Sequence, residues 1–190
     1  YEPGWVGRYR ALTSDVKVVD LTLSVAFKAT DGVSFGAGLI YDSDRDITWL
    51  ANANLGAGPS QDDGFSTTDG LMTWPSAVAW AASLDYYDSV RDVTWDDWRL
   101  PTTVQPDAGC SQQEGGGAFA AGTGCTASEL GRMFYAELGG TALSSILTSS
   151  DPDLALFTNF ANNGYWSETS FDSTFAWVGN YEYGAQAADN

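Results

Sequence analysis

The chain has 190 residues, 44% hydrophobic and 14% aromatic with eight Trp, and carries a formal charge of −17 without a single His. This composition excludes a disordered chain, and the lack of His excludes Ser-His-Asp and Cys-His sites in their usual form and leaves metal binding to oxygen ligands, hence to calcium or magnesium. Residues 1–40 are electrically balanced, so residues 41–190 carry the whole deficit; such a surface repels nucleic acid and anionic lipid and leaves cations, basic proteins or neutral polyhydroxyl ligands as partners.

Chain order begins with Tyr1 and shows no charged segment followed by an apolar one, so no signal peptide is visible and the sequence reads as an internal fragment of a longer reading frame. No apolar run reaches the roughly 20 residues of a membrane helix. From Val18 to Lys28, Leu21, Leu23, Val25 and Phe27 alternate with polar or small residues, and after Ala29-Thr30-Asp31-Gly32 the alternation resumes from Val33 to Tyr41. Period and turn predict a β-hairpin, suited to a bilayer barrel or to a half-buried soluble sheet. Gly4-Trp5-Val6-Gly7-Arg8-Tyr9, Leu21 to Ala26 and Val33 to Gly38 together resemble a hairpin of the FadL-type outer-membrane transporters of long-chain fatty acids. The resemblance implies a membrane-barrel origin for residues 1–38, to be read as a unit separate from residues 39–190.

Leu39-Ile40-Tyr41-Asp42 and Ile47-Thr48-Trp49-Leu50 read as two short strands around Ser43–Asp46. Asp42, Asp44 and Asp46 have the alternate spacing of a calcium loop, but the sixth position is Ile47 instead of Gly and the twelfth is Ala53 instead of Glu, so a solvated turn is the stronger reading. Thr73 caps a predicted helix with Trp74 and Pro75 in its first turn and Ala77, Trp80, Ala81 and Leu84 on one face, ending near Asp85.

Trp95-Asp96-Asp97-Trp98-Arg99-Leu100-Pro101 predicts a short buried strand that stops at Leu100 or Pro101, because Pro offers no N–H to a ladder. Arg99 then needs a carboxylate, with Asp96 or Asp97 nearest in sequence, and Trp98, Arg99 and Asp97 form a structural group. Cys110 and Cys125 bracket a Gly-rich loop, which leaves one intramolecular disulfide or two unpaired thiols. Thr126-Ala127-Ser128-Glu129 has the form of a capping box opening a helix through Leu130, Met133, Phe134 and Leu138, with Gly139-Gly140 as its stop. Asp151-Pro152-Asp153 caps a helical turn to Phe157, and Tyr165–Thr169 and Phe175–Tyr181 read as aromatic strands, with no closing element after Gly184. Two helices among short strands make the fold class α+β.

Leu39–Asp42, Thr48-Trp49-Leu50, Met72-Thr73-Trp74, Ala79-Trp80-Ala81, Asp97–Thr102, Glu129-Leu130-Gly131, Phe134-Tyr135 and Tyr165-Trp166-Ser167 resemble, in order, the Lcl C-terminal domain family, in the branch of exported bacterial proteins with PEP-CTERM sorting tails. The resemblance implies a C-type-lectin-like fold over residues 39–190, an extracellular or cell-surface location, and a non-catalytic binding or adhesion role without a cofactor. It also implies a last Trp-containing strand after Asn190, without which a sheet edge stays unpaired. The founding member's preference for sulfated polysaccharides calls for basic surface and is not carried over to residues 41–190.

Trp166, Trp177, Tyr181 and Tyr183, with Glu168, Asn180 and Glu182 beside them, are the candidate face for a carbohydrate or protein ligand. For each aromatic, a place in the core is the stronger reading. A glycosidase built on paired carboxylates is the enzyme alternative, though with 25 acidic residues a pair at suitable separation arises by chance.

Overall fold

The computed structural model describes residues 19–21, 38–42, 44–58, 62–63, 66–89, 91–111 and 121–189. Helices and antiparallel sheets alternate along the chain, an α+β arrangement as the sequence predicts. Strand β1 (Val19–Leu21) pairs with β2 (Leu39–Asp42), and β2 with β3 (Ile47–Leu50). The pairing Leu21↔Ile40 is the register of a hairpin turning at Ala29–Gly32, although that turn itself lies outside the described residues. So do the segments Gly4–Tyr9, Leu23–Ala26 and Val33–Ala37, which carry most of the transporter resemblance.

Strands β2 and β3 match their predicted bounds, with Leu39 opposite Leu50 and Asp42 opposite Ile47. Their turn is closed by Asp42, whose Oδ1 accepts the N–H groups of Asp44 and Arg45 at 3.0 and 3.2 Å. Asp46, at φ 58°, accepts the Tyr41 hydroxyl at 2.8 Å, and Asp44 pairs with Arg132 at 3.0 Å. The three carboxylates of the calcium-like spacing thus close a turn and tie it to a helix.

Helix α1 (Trp74–Ala82) begins where predicted and stops three residues short of Asp85, with Ala77 and Ala81 buried. Thr73 holds the capping position without capping through its own side chain. Asp63 takes the Thr73 N–H at 2.7 Å, the Thr73 hydroxyl at 2.8 Å and the Ser76 hydroxyl at 2.7 Å instead. A hairpin not anticipated from sequence follows, β4 (Tyr86–Asp88) against β5 (Val93–Trp95). The predicted buried strand from Trp95 to Leu100 is corrected here: the ladder ends at Trp95, and Asp96, Asp97 and Arg99 are exposed. Three charged side chains in four residues are too costly to bury on both faces of a strand.

After β6 (Gly122–Thr123), α2 (Glu129–Arg132) passes into a wider π-turn over Met133–Glu137, closed by the Leu138 N–H on the Met133 carbonyl at 2.9 Å. Gly139 at φ 62° provides the predicted stop. The capping box does not form, because Ser128 holds the cap position and Glu129 is already helical. The carboxylate that holds the cap residue in place is Asp107, fully buried, which accepts the N–H and hydroxyl of Ser128 at 2.9 and 2.8 Å and the Gly109 N–H at 2.8 Å. Cys110 and Cys125 form a disulfide, which places this loop entry next to α2.

Two 3-10 turns, Ile146–Thr148 and Pro152–Leu156, precede the main sheet, and Asp151 caps the second through the Asp153 N–H at 3.0 Å. Strands β7 (Gly164–Ser170), β8 (Ala176–Asn180) and β9 (Ala185–Asp189) complete a sheet of order β6-β9-β8-β7. Strand β9 corrects the expectation of no closing element after Gly184. Ala185-Gln186-Ala187-Ala188-Asp189 has little β-propensity of its own, and its small side chains fit beside the buried Trp177 and Val178 of β8. The core joins Leu130, Met133, Phe134, Leu138, Ile146 and Tyr181, with Phe160 and Tyr165 packed against it.

Candidate ligand-binding surface

The surface is built on two segments that clasp each other, residues 101–103 and β7. The Glu168 N–H donates to the Pro101 carbonyl at 2.8 Å, the Thr103 N–H to Thr169 Oγ1 at 2.9 Å, and the Thr103 hydroxyl to Ser167 Oγ at 2.9 Å. Ser167 is fully buried and Glu168 exposed, so the clasp turns the Glu168 carboxylate outward.

Beneath it lies the ion pair of Arg99, whose partner is Glu129 and not the nearby Asp96 or Asp97. Nη1 and Nη2 donate to Oε2 and Oε1, both at 2.8 Å, and Nη1 also reaches the Leu100 carbonyl at 2.9 Å. Oε2 additionally accepts the Thr102 N–H at 2.6 Å, while the Glu129 N–H donates to the Thr102 carbonyl at 3.1 Å. Burial opposes ionisation of Glu129, but the Arg99 guanidinium and the Thr102 N–H outweigh it and hold the carboxyl below its ordinary range. The Glu129 hydrogen bonds raise Arg99 above its ordinary value against the pull of burial, and the charge of Glu168 adds to the effect. Arg99 stays 43% exposed, so one edge of the pair faces water next to Glu168. Trp98 is structural, donating its indole N–H to the Trp95 carbonyl at 3.0 Å and meeting Tyr86 edge-on at 6.1 Å.

Helix α1 is fastened to β7 by a reciprocal pair of indoles. Trp166 donates Nε1–H to the Met72 carbonyl at 2.8 Å, and Trp74 donates its own to the Ser167 carbonyl at 2.9 Å. Trp166 is half-buried and its polar edge is committed to this junction.

Two candidate residues are withdrawn from the surface. Trp177 and Tyr181 are each 2% exposed. Trp177 meets Phe171 edge-on at 5.3 Å, and Tyr181 lies among Phe134, Phe160 and Tyr165 with its hydroxyl on the Leu130 carbonyl at 2.9 Å. Burial pushes the Tyr181 phenol well above its ordinary value, so it remains neutral. The alternation that placed Trp177 on a single face is real, but β8 is covered on both faces.

The remaining candidates form two groups. Asn180 caps the turn after β8, its Oδ1 accepting the N–H groups of Glu182 and Tyr183 at 2.9 and 3.2 Å, and both of those residues are exposed. Asn180 sits opposite Gly164, four residues and about 13 Å along the strand from Glu168. One small ligand therefore does not span both groups. The sequence reading missed Asp63, Trp74, Thr103, Asp107 and Ser167; of these only Asp107-Ala108-Gly109 carried a local signal, that of an Asp-initiated turn.

Chemically, the Glu168 surface offers an exposed carboxylate acceptor on an anchored strand, the wet edge of the Arg99 guanidinium, and the half-buried Trp166 indole two residues away on the same strand. Comparison with family models, curated proteins and solved structures finds no match.

Proposed function

We infer that this chain is a non-catalytic binding module of an exported bacterial protein, with a C-type-lectin-like fold of the Lcl C-terminal kind over residues 39–190, acting outside the cell or at its surface. The observation that carries the reading is the exposed Glu168 carboxylate, whose strand is held near Arg99 by a clasp of backbone and hydroxyl bonds. A backbone fixed in this way does not have to be ordered on binding. The Cys110–Cys125 disulfide fits an oxidising compartment. The ligand class is a neutral carbohydrate or a basic protein segment, because the surrounding surface is acidic.

The test is a screen of neutral glycans and basic peptides against the wild-type chain and Glu168→Gln. A ligand whose affinity falls at least tenfold in Glu168→Gln, with unchanged melting temperature, supports the reading. A ligand bound equally well by both proteins moves the site away from Glu168 and overturns the placement.

A further inference from the structure

Between Arg45 and Arg91 the chain has no Lys or Arg, yet Asp62 in the middle of that stretch is only 4% exposed. Its Oδ2 is fully used, accepting the N–H groups of Gly58 at 3.2 Å and Gly70 at 2.7 Å. Among the described residues its Oδ1 is buried without a partner. The four Arg residues of the acidic region are engaged elsewhere: Arg45 on the Ala127 carbonyl, Arg91 on Asp88, Arg99 on Glu129, and Arg132 on Asp44 and Glu137. Among the described residues Asp62 therefore has no countercharge; a buried carboxylate is costly, and proteins meet that cost by pairing the group or coordinating a metal.

A second side-chain oxygen lies beside Gly70, which donates its N–H to Asp62 Oδ2. Asn54 Oδ1 lies against Gly70, the residue that donates to Asp62; a Cβ on Gly70 would come within 1.8 Å of it. Asn54 is fixed there by its Nδ2–H on the Asp69 carbonyl at 3.0 Å, and Gly70 holds the φ of 80° that the close approach needs. We propose that Asp62 Oδ1, with the Asn54 side-chain oxygen beside Gly70, binds a hard divalent cation of the calcium type in the loop between β3 and α1. Calcium ordinarily completes its shell with backbone carbonyls and water. This site is distinct from the 42–46 turn, whose carboxylates close the turn and pair with Arg132.

The experiment is calorimetric titration of the metal-stripped full chain with calcium chloride, for wild type, Asp62→Asn and Asp44→Asn. The expected result is one saturable site in the wild type, weakened at least tenfold in Asp62→Asn and unchanged in Asp44→Asn. No saturable binding by the wild type, or loss in Asp44→Asn with retention in Asp62→Asn, overturns the proposal. If Asp62→Asn does not fold, terbium luminescence of the wild type decides. Trp80, which would lie 3.4 Å from a Cβ on Gly56 of this loop, serves as sensitiser. Sensitised emission displaced by calcium, and retained in Asp44→Asn, supports the site. Its absence overturns it.

Discussion

Arg99 and Glu129, separated by 30 residues, face each other through two parallel hydrogen bonds of 2.8 Å. Glu129 also bonds both backbone groups of Thr102, so one side chain and its own N–H join the Trp98–Thr103 segment to the first turn of α2. Removing the carboxylate charge leaves a partly desolvated guanidinium and the Thr102 N–H short of their acceptor.

Glu129→Gln is therefore expected to cost about 2 kcal/mol in urea unfolding, at the low end for a broken pair because Arg99 keeps one side in water. Arg99→Lys, which cannot make the two-pronged contact, is expected to lose most of the same amount. A loss below about 0.5 kcal/mol in both variants would contradict the central role given to the pair.

The pH dependence follows from the same residue. Glu129 has its folded carboxyl below the ordinary value of 4.5, so the unfolded chain takes up its proton first as pH falls. Its contribution is complete above that value and is lost as pH drops through the lower folded value. The melting temperature of the wild type should hold down to about pH 5 and then decline, and the decline should be shallower in Glu129→Gln. Identical acid profiles for the two proteins would show that other carboxylates set the acid limit.

At the junction of α1 and β7, Trp166→Phe keeps an aromatic ring, though a smaller one, and removes the donor to the Met72 carbonyl. The expected cost is about 1 kcal/mol, with faster amide exchange confined to α1. Uniformly faster exchange across the sheet would mean that the indole serves the core instead of the junction.

Replacing both Cys110 and Cys125 with Ser opens a loop with a sequence separation of 15. The chain-entropy estimate is roughly 3 kcal/mol, or about 6–12 °C in melting temperature for a chain of this size. A change under about 2 °C would show that the loop is already restrained by Asp107 and its bonds to Ser128 and Gly109.

Deleting residues 1–38 tests whether that segment belongs with the remainder of the chain. Because Val19–Leu21 pairs with β2, the truncated chain is expected to melt at lower temperature. An unchanged melting temperature would favour the reading of residues 1–38 as a separate unit.

Local patterns carried much of the architecture. The β2 and β3 hairpin, the start of α1, the Asp151-capped turn and the aromatic strands β7 and β8 follow from side-chain period, Pro position and capping chemistry within a few residues. Such signals act over one turn of helix or one strand, a range at which neighbours in sequence are neighbours in space.

What the sequence by itself determined is therefore the α+β class, the acidic charge of residues 41–190 and the two cysteines available to pair. The tertiary structure alone decided which carboxylate Arg99 meets, which carboxylate holds the cap residue of α2, and whether Trp177 and Tyr181 face water or the core. It also recruited Ala185–Asp189 into the sheet against its weak propensity. The reason is physical: an Arg is satisfied equally well by any carboxylate of suitable geometry, and an aromatic by any apolar surface. Only the packing of distant elements chooses among partners that spacing leaves equivalent.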